Sequence, residues 1–250
     1  MYPILAAFIF FTRLPFWRIA EVPANAFKHV VSYWALVGWL TAGISVLVLY
    51  LSSLILPTNI ALLLAIITRL LLTGCLHEDG LADFFDGFGG GNSKERILSI
   101  MKDSHIGSYG VIGLIFYFGF LYTLLNSLPL TMLGSVMLAA DPFSKGVAGM
   151  IINQLPYARK EEEAKTQTTY NSMNQKELII CLISALIPLL WLPDSLYLLA
   201  IPFPICLFFI LTRFMNKRIQ GYTGDCCGAL FLLCELSFYL GIAILYQTTL

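Results

Sequence analysis

Four carboxylates fall within residues 77–87, His-Glu-Asp-Gly-Leu-Ala-Asp-Phe-Phe-Asp-Gly, of a chain that is otherwise overwhelmingly apolar. Asp79, Asp83 and Asp86 stand at i, i+4 and i+7. At about 100° per residue, a helix places them within roughly 60° of one another. Like charges so arranged repel unless a cation lies between them. Hard cations such as Mg²⁺ take oxygen ligands of this kind and keep positions open for water or phosphate. Leu81, Phe84 and Phe85 make the rest of the helix apolar and therefore packed. The acidic stripe is thus expected to face a specific partner rather than bulk water, and the pattern predicts a metal site serving phosphate chemistry.

Other candidates are weaker taken alone. His77 reads as a substrate hydrogen-bond donor or general base, or else as a packed surface histidine, because Mg²⁺ prefers oxygen. Asp103 is either a further ligand or a helix-end aspartate paired with a lysine. Asp225 lies in Gly-Asp-Cys-Cys-Gly at 224–228, where flanking glycines permit close backbone approach. Arg69, Asp141, Lys145 and Glu235 lie inside apolar runs, where an unpaired ionisable group costs several kcal/mol. Asp141 and Lys145, one turn apart, form a structural ion pair on one reading. On the other, Arg69 and Lys145 line an inward cavity and meet phosphate. The charged stretch around Arg159 and Lys160 reads as an exposed linker.

The elements that must position these residues are membrane helices. The chain is 58% hydrophobic and 12% charged, with a mean hydropathy of +0.79, far from a soluble composition. Apolar runs near 30–56, 59–76, 108–126, 129–150, 178–192, 195–212 and 228–247 predict an all-α, polytopic membrane protein of about seven transmembrane helices. These form one domain over residues 1–250. The run 3–12 is too short to span and lacks the features of a cleaved signal, so it is expected to be an interfacial or re-entrant helix. Gly89–Gly91 should end the acidic helix and Ser93 should cap the next, folding Asp103 back towards the first aspartates.

Basic residues cluster before the first run, between the second and third, after the fourth and after the sixth, while the alternate turns carry none. The positive-inside rule puts these basic segments, and the acidic cluster with them, in the cytoplasm. A formal net charge of zero gives no basic footprint for nucleic acid. The six cysteines show no C-x-x-C spacing and read as buried thiols.

The stretches H-E-D-G-L-A-D-F-F-D-G at 77–87, K-E-R-I-L-S-I-M-K-D-S at 94–104, I-G-S-Y-G at 106–110, F-T-R-L-P-F at 11–16 and G-D-C-C-G-A at 224–229 together resemble the cobalamin synthase (adenosylcobinamide-GDP ribazoletransferase) family. The resemblance implies a Mg²⁺-dependent enzyme of the cell membrane of a bacterium or archaeon, surrounded by lipid. Such an enzyme joins adenosylcobinamide-GDP to α-ribazole, or to its 5′-phosphate, and releases GMP. The D-x-x-D-G element at 83–87 also resembles that of the CDP-alcohol phosphotransferases. By that similarity Asp79, Asp83 and Asp86 would hold one or two Mg²⁺, with Glu78 or Asp103 completing the set. Arg13, Arg69, Lys102 and Lys145 would clamp phosphate, Ser104 would contact substrate, and Asp225 would take the proton of the attacking hydroxyl. A homo-oligomer is compatible with this picture. Three departures stand out: His105 and Lys145 occupy positions where the family more usually has arginine, and Lys160 with three glutamates replaces a glycine-leaning linker.

Two rivals belong to other classes. A transporter would use Arg69, Asp141, Lys145 and Glu235 as its pathway, but Asp79, Asp83 and Asp86 begin only where the second run ends. A phospholipid-making phosphotransferase would continue D-G-x-x-A-R, whereas Phe88-Gly89-Gly90 follows here.

Overall fold

The computed structural model describes residues 2–159 and 169–248. Its helices are α1 (Tyr2–Phe11), α2 (Trp34–Ser53), α3 (Thr58–Thr73), α4 (Leu76–Gly90), α5 (Lys94–Lys102), α6 (Ser108–Asn126), α7 (Leu130–Gly149), α8 (Ile151–Gln154), α9 (Gln175–Leu186), α10 (Pro202–Ile219) and α11 (Gly224–Thr248). Short 3₁₀ segments precede α2 and flank the α9–α10 turn. The all-α expectation is met: among the described residues the only β feature is an isolated bridge between Tyr157 and Tyr222.

Five helical stretches are long and apolar enough to cross a membrane: Ala24–Ser53, Ser108–Asn126, Leu130–Gln154, Ser195–Ile219 and Gly224–Thr248. A sixth results if α3 and α4 are taken as one span bent by 88°. The expected seven therefore reduce to five or six, for two physical reasons. The run near 59–76 gives a helix of only 16 residues before the bend. The run near 178–192 is α-helical for only 12 residues and then tightens into a 3₁₀ turn through Pro188, because proline cannot continue the α hydrogen-bond ladder.

The bend between α3 and α4 is local in origin. Gly74 and Cys75 both adopt left-handed backbone, with φ of 64° and 57°. Glycine tolerates this conformation, and a second left-handed residue breaks the helix outright. The acidic helix is thereby turned across the end of α3 instead of prolonging it.

The remaining boundaries follow their caps. Ser93 accepts the Arg96 N–H at the start of α5, as expected, and Asn174 with Glu177 forms a capping box on α9. α11 is the central post, packed against α4, α6, α7 and α10, while α2 lies between α3 and α7. Where α4 meets α11, a Cβ on Gly80 would stand 3.1 Å from the Cα and carbonyl oxygen of Asp225. The two acid-bearing helices touch backbone to backbone at that point. α1 packs on the 3₁₀ segment Ala24–Tyr33, with Ala6, Ala7 and Phe11 buried. Of the cysteines, Cys181, Cys226, Cys227 and Cys234 are buried thiols as expected, whereas Cys75 at the bend and Cys206 on the outer face of α10 are exposed.

A candidate active site where two acidic helices meet

The acidic residues of α4 divide among three surroundings. Asp79 is exposed and lines a cavity of about 110 Å³ with His77, Asp225, Tyr157 and Arg159. The cavity lies where the close approach at Gly80 brings the first turn of α11 against α4. Asp83 is half-buried one turn further along. Asp86 is buried, and its two carboxylate oxygens accept the backbone N–H groups of Gly107, at 2.7 Å, and Gly110, at 2.9 Å. It satisfies orphan donors at the start of α6, which suits an anion at a helix N-terminus.

Glu78 points away from this cluster. It is 4% exposed, and neither carboxylate oxygen has a hydrogen-bond partner. The fold-back after Gly91 does bring Asp103 towards α4, but only to a shallow depression that it shares with Asp86, Arg96 and His105. Asp103 accepts the His105 N–H at 3.0 Å and pairs with its ring Nδ1 at 2.7 Å. The side-chain hydrogen bond from His105 holds its carboxyl below the usual range. Lys102 lines a neighbouring basin with Asp103 and Arg159, and Ser104 is exposed beside it. Arg13 is exposed, with its guanidinium against Gly74 at the bend and its backbone N–H donating to the Leu72 carbonyl at 2.7 Å.

Two expected phosphate clamps lie elsewhere. Arg69 donates to both oxygens of Glu235 at 2.6 Å and to the Tyr117 hydroxyl at 2.9 Å. Lys145 donates to Asp141 at 2.5 Å and to Thr41 at 2.9 Å. They are 8% and 1% exposed. The ion pair of Asp141 and Lys145 is present, and Arg69 and Lys145 are both buried and paired in the core. Removing two cations from water inside apolar helices requires such pairing. With the same four groups closed on one another, they do not form the pathway that a transporter would need.

Sequence reading missed other members of the site. Arg159, assigned to a solvated linker, is only 8% exposed and lines the cavity. Hydrogen bonds between Ala158 and Tyr222 and between Tyr222 and Pro156, at 2.8 and 3.0 Å, tie its segment to the turn before α11. Its guanidinium donates to the Leu98 carbonyl at 2.9 Å. Tyr157 and Tyr170 complete one wall, and burial pushes the Tyr157 phenol up to about 12, leaving a neutral hydroxyl at ordinary pH. Phe11 and Trp34 complete the other. Phe11 stands in the F-T-R-L-P-F motif, the one sequence signal that pointed there.

Among the described residues, no three His, Cys, Asp or Glu side chains are grouped as a ready metal-binding set. The donor chemistry nonetheless fits Mg²⁺. This ion is commonly held by one or two carboxylates plus substrate phosphate and water, not by an all-protein cage. Asp79 at the cavity, with Asp83 one turn along, offers that kind of open set.

The molecule is therefore an all-helical membrane protein with carboxylates from two touching helices at an aromatic-walled cavity. A model of the family described as cobalamin-5-phosphate synthase matches residues 3–243, and the chain belongs to that family. It is 38% identical over 243 residues to an adenosylcobinamide-GDP ribazoletransferase of Shewanella sp. (strain W3-18-1), covering 96% of this chain and 93% of the relative. It is 37% identical over 249 residues to the protein of that name from Shewanella amazonensis, covering 97% and 95%. The corresponding figures for Shewanella oneidensis are 37% over 233 residues, covering 92% and 89%. No solved structure matches the chain.

Proposed function

We propose that this protein transfers the adenosylcobinamide-phosphate group of adenosylcobinamide-GDP to α-ribazole or its 5′-phosphate, releasing GMP. The observation that carries the assignment to this site is the meeting of Asp79 and Asp225, from two helices in backbone contact, at one cavity. A hydroxyl of the ribazole attacks the phosphorus next to the corrinoid's arm. The bond between that phosphorus and the bridging oxygen breaks, and GMP leaves carrying the bridging oxygen and the electron pair. Asp225, at the cavity and opposite Asp79, takes the hydroxyl proton. Arg159 and Lys102 border the cavity and the adjoining basin and meet phosphate oxygens; Arg159 adds a planar, multidentate grip. Mg²⁺, held by Asp79 and Asp83, would supply charge neutralisation of the pyrophosphate.

The positive-inside rule applied to the basic loops supports a cytoplasmic setting for this end of the bundle, where a nucleotide-activated substrate is available. Lipid surrounds the remaining helices.

The test is GMP release by purified protein in lipid, given both substrates with and without Mg²⁺, beside Asp83→Asn. Release is expected to need both substrates and Mg²⁺ and to fall by about a hundredfold or more in the variant. Absence of release from folded wild type refutes the activity. Full release by Asp83→Asn refutes its role with the metal.

A further inference from the structure

The cavity beside Asp79 is walled by more aromatic surface than phosphoryl transfer requires. Phe11 and Trp34 stack with centroids 4.9 Å apart and planes at 14°. The His77 ring lies 6.1 Å from Phe11 at 21° and 5.4 Å from Trp34. Phe231 meets Trp34 and His77 edge-on at 5.4 and 5.0 Å. Packing alone accounts for such a layer, but it does not account for two of its atoms. The indole N–H of Trp34 and Nε2 of His77 are buried without any hydrogen-bond partner, in residues 1% and 3% exposed that line the same cavity. A buried indole N–H normally finds an acceptor, and an unmet one is costly. The unmet indole N–H at this cavity points to a ligand that supplies an acceptor.

Size and polarity narrow the ligand. The cavity, at about 110 Å³, is somewhat smaller than the ~150 Å³ apolar cavity that holds benzene, so it admits part of one flat ring system and nothing larger. A corrin macrocycle does not enter it. The layer is carbon apart from three ring nitrogens, and its one assigned donor without an acceptor is the Trp34 N–H, which matches a flat fused ring bearing a single free ring nitrogen. That is the benzimidazole class carried by an α-ribazole acceptor. Guanine, on the donor, presents a carbonyl, a ring N–H, an exocyclic amine and further ring nitrogens, more polar atoms than the aromatic end can meet.

Resting on the transferase reading above, we propose that this aromatic cavity seats the heteroaromatic base of the acceptor nucleoside, with the Trp34 N–H donating to its free ring nitrogen. Trp34 is then a specificity-determining residue, and His77 supplies part of the stacking surface. With the base at the aromatic end, the ribose extends towards Asp79 and Asp225, which delivers its hydroxyl to the carboxylates.

The test uses the full chain in lipid nanodiscs, as wild type and as Trp34→Phe, which keeps a stacking ring and removes the N–H. Equilibrium binding of α-ribazole and of GMP is measured beside the KM of each substrate. The dissociation constant and KM for α-ribazole are expected to rise about tenfold, while the KM for adenosylcobinamide-GDP and the affinity for GMP stay within about twofold. Free benzimidazole is expected to compete with α-ribazole but not with GMP. A loss confined to GMP and the donor would assign the cavity to guanine, and unchanged affinities would make the layer a structural core; either overturns the proposal. Wild type that binds α-ribazole but releases no GMP refutes the transferase reading alone, because the binding comparison still decides the base site. Wild type that binds neither α-ribazole nor benzimidazole refutes the base site.

Discussion

Two groups of buried polar residues lie within the same bundle and are finished differently. In the layer around α11, Arg69, Glu235, Tyr117 and Tyr239 are linked by hydrogen bonds of 2.6 to 3.1 Å, and Lys145, Asp141 and Thr41 by bonds of 2.5 to 3.1 Å. Lys145 also stands 4.8 Å from the Phe231 ring. Against the same Phe231 ring, His77 and Trp34 keep buried nitrogens without partners. In an apolar bundle, charge that is met by charge acts as scaffold. Polar atoms left unmet next to a cavity mark where something else must bind.

This contrast can be broken from either side. The largest effect is expected at the cavity: Asp79→Asn should lower GMP release by about 10³-fold with the helical circular-dichroism signal and melting temperature unchanged. A parallel fall in melting temperature would mean that Asp79 is scaffold after all. The scaffold side is tested by Glu235→Ala, which strands Arg69 in the apolar core and should destabilise by ~3–5 kcal/mol, read as early thermal unfolding in detergent. Replacing Arg69 and Glu235 together by leucine should recover most of that loss, since a matched apolar pair removes both desolvation costs.

Asp86 sharpens the comparison because it shares a helix with Asp79 but accepts two backbone N–H groups. Asp86→Ala should cost about 2 kcal/mol of stability and lower activity less than Asp79→Asn does. An activity loss as large as that of Asp79→Asn, without loss of stability, would return Asp86 to the catalytic set. The smallest effect is expected at Asp103. Its carboxyl is held below the usual range by His105, so whatever the pair contributes is present above the ordinary carboxylate pKa and is lost as pH falls through the lowered value. The pair is fully exposed, and such pairs contribute little. Asp103→Asn should therefore leave activity within about twofold across neutral pH, and a larger drop would show that the α5–α6 loop takes part in the reaction.

Much of this was legible in the residues. The helical placement of Asp79, Asp83 and Asp86, the Ser93 cap and the helix stop at the glycines follow from local rules, and the structure reproduces each. The helices of spanning length follow from hydropathy, except where left-handed backbone at Gly74 and Cys75 and the proline in 187–191 shortened them. Arg159 was misjudged because its neighbours in sequence are charged, whereas in space it shares the cavity wall with Tyr157 and Tyr170 and donates to the Leu98 carbonyl.

What the sequence by itself determined is what depends on near neighbours: the membrane class, the helix that carries the carboxylates, the caps and the motifs that mark the family. Tertiary structure alone decided which charges are spent on one another. Arg69 and Glu235 are 166 residues apart, and Thr41 and Lys145 are 104 apart. Periodicity reports which face a side chain takes, but not which distant helix will lie against that face. The same packing set Phe11, Trp34 and His77 around one cavity, and so separated the residues that hold the bundle together from those left open to a substrate.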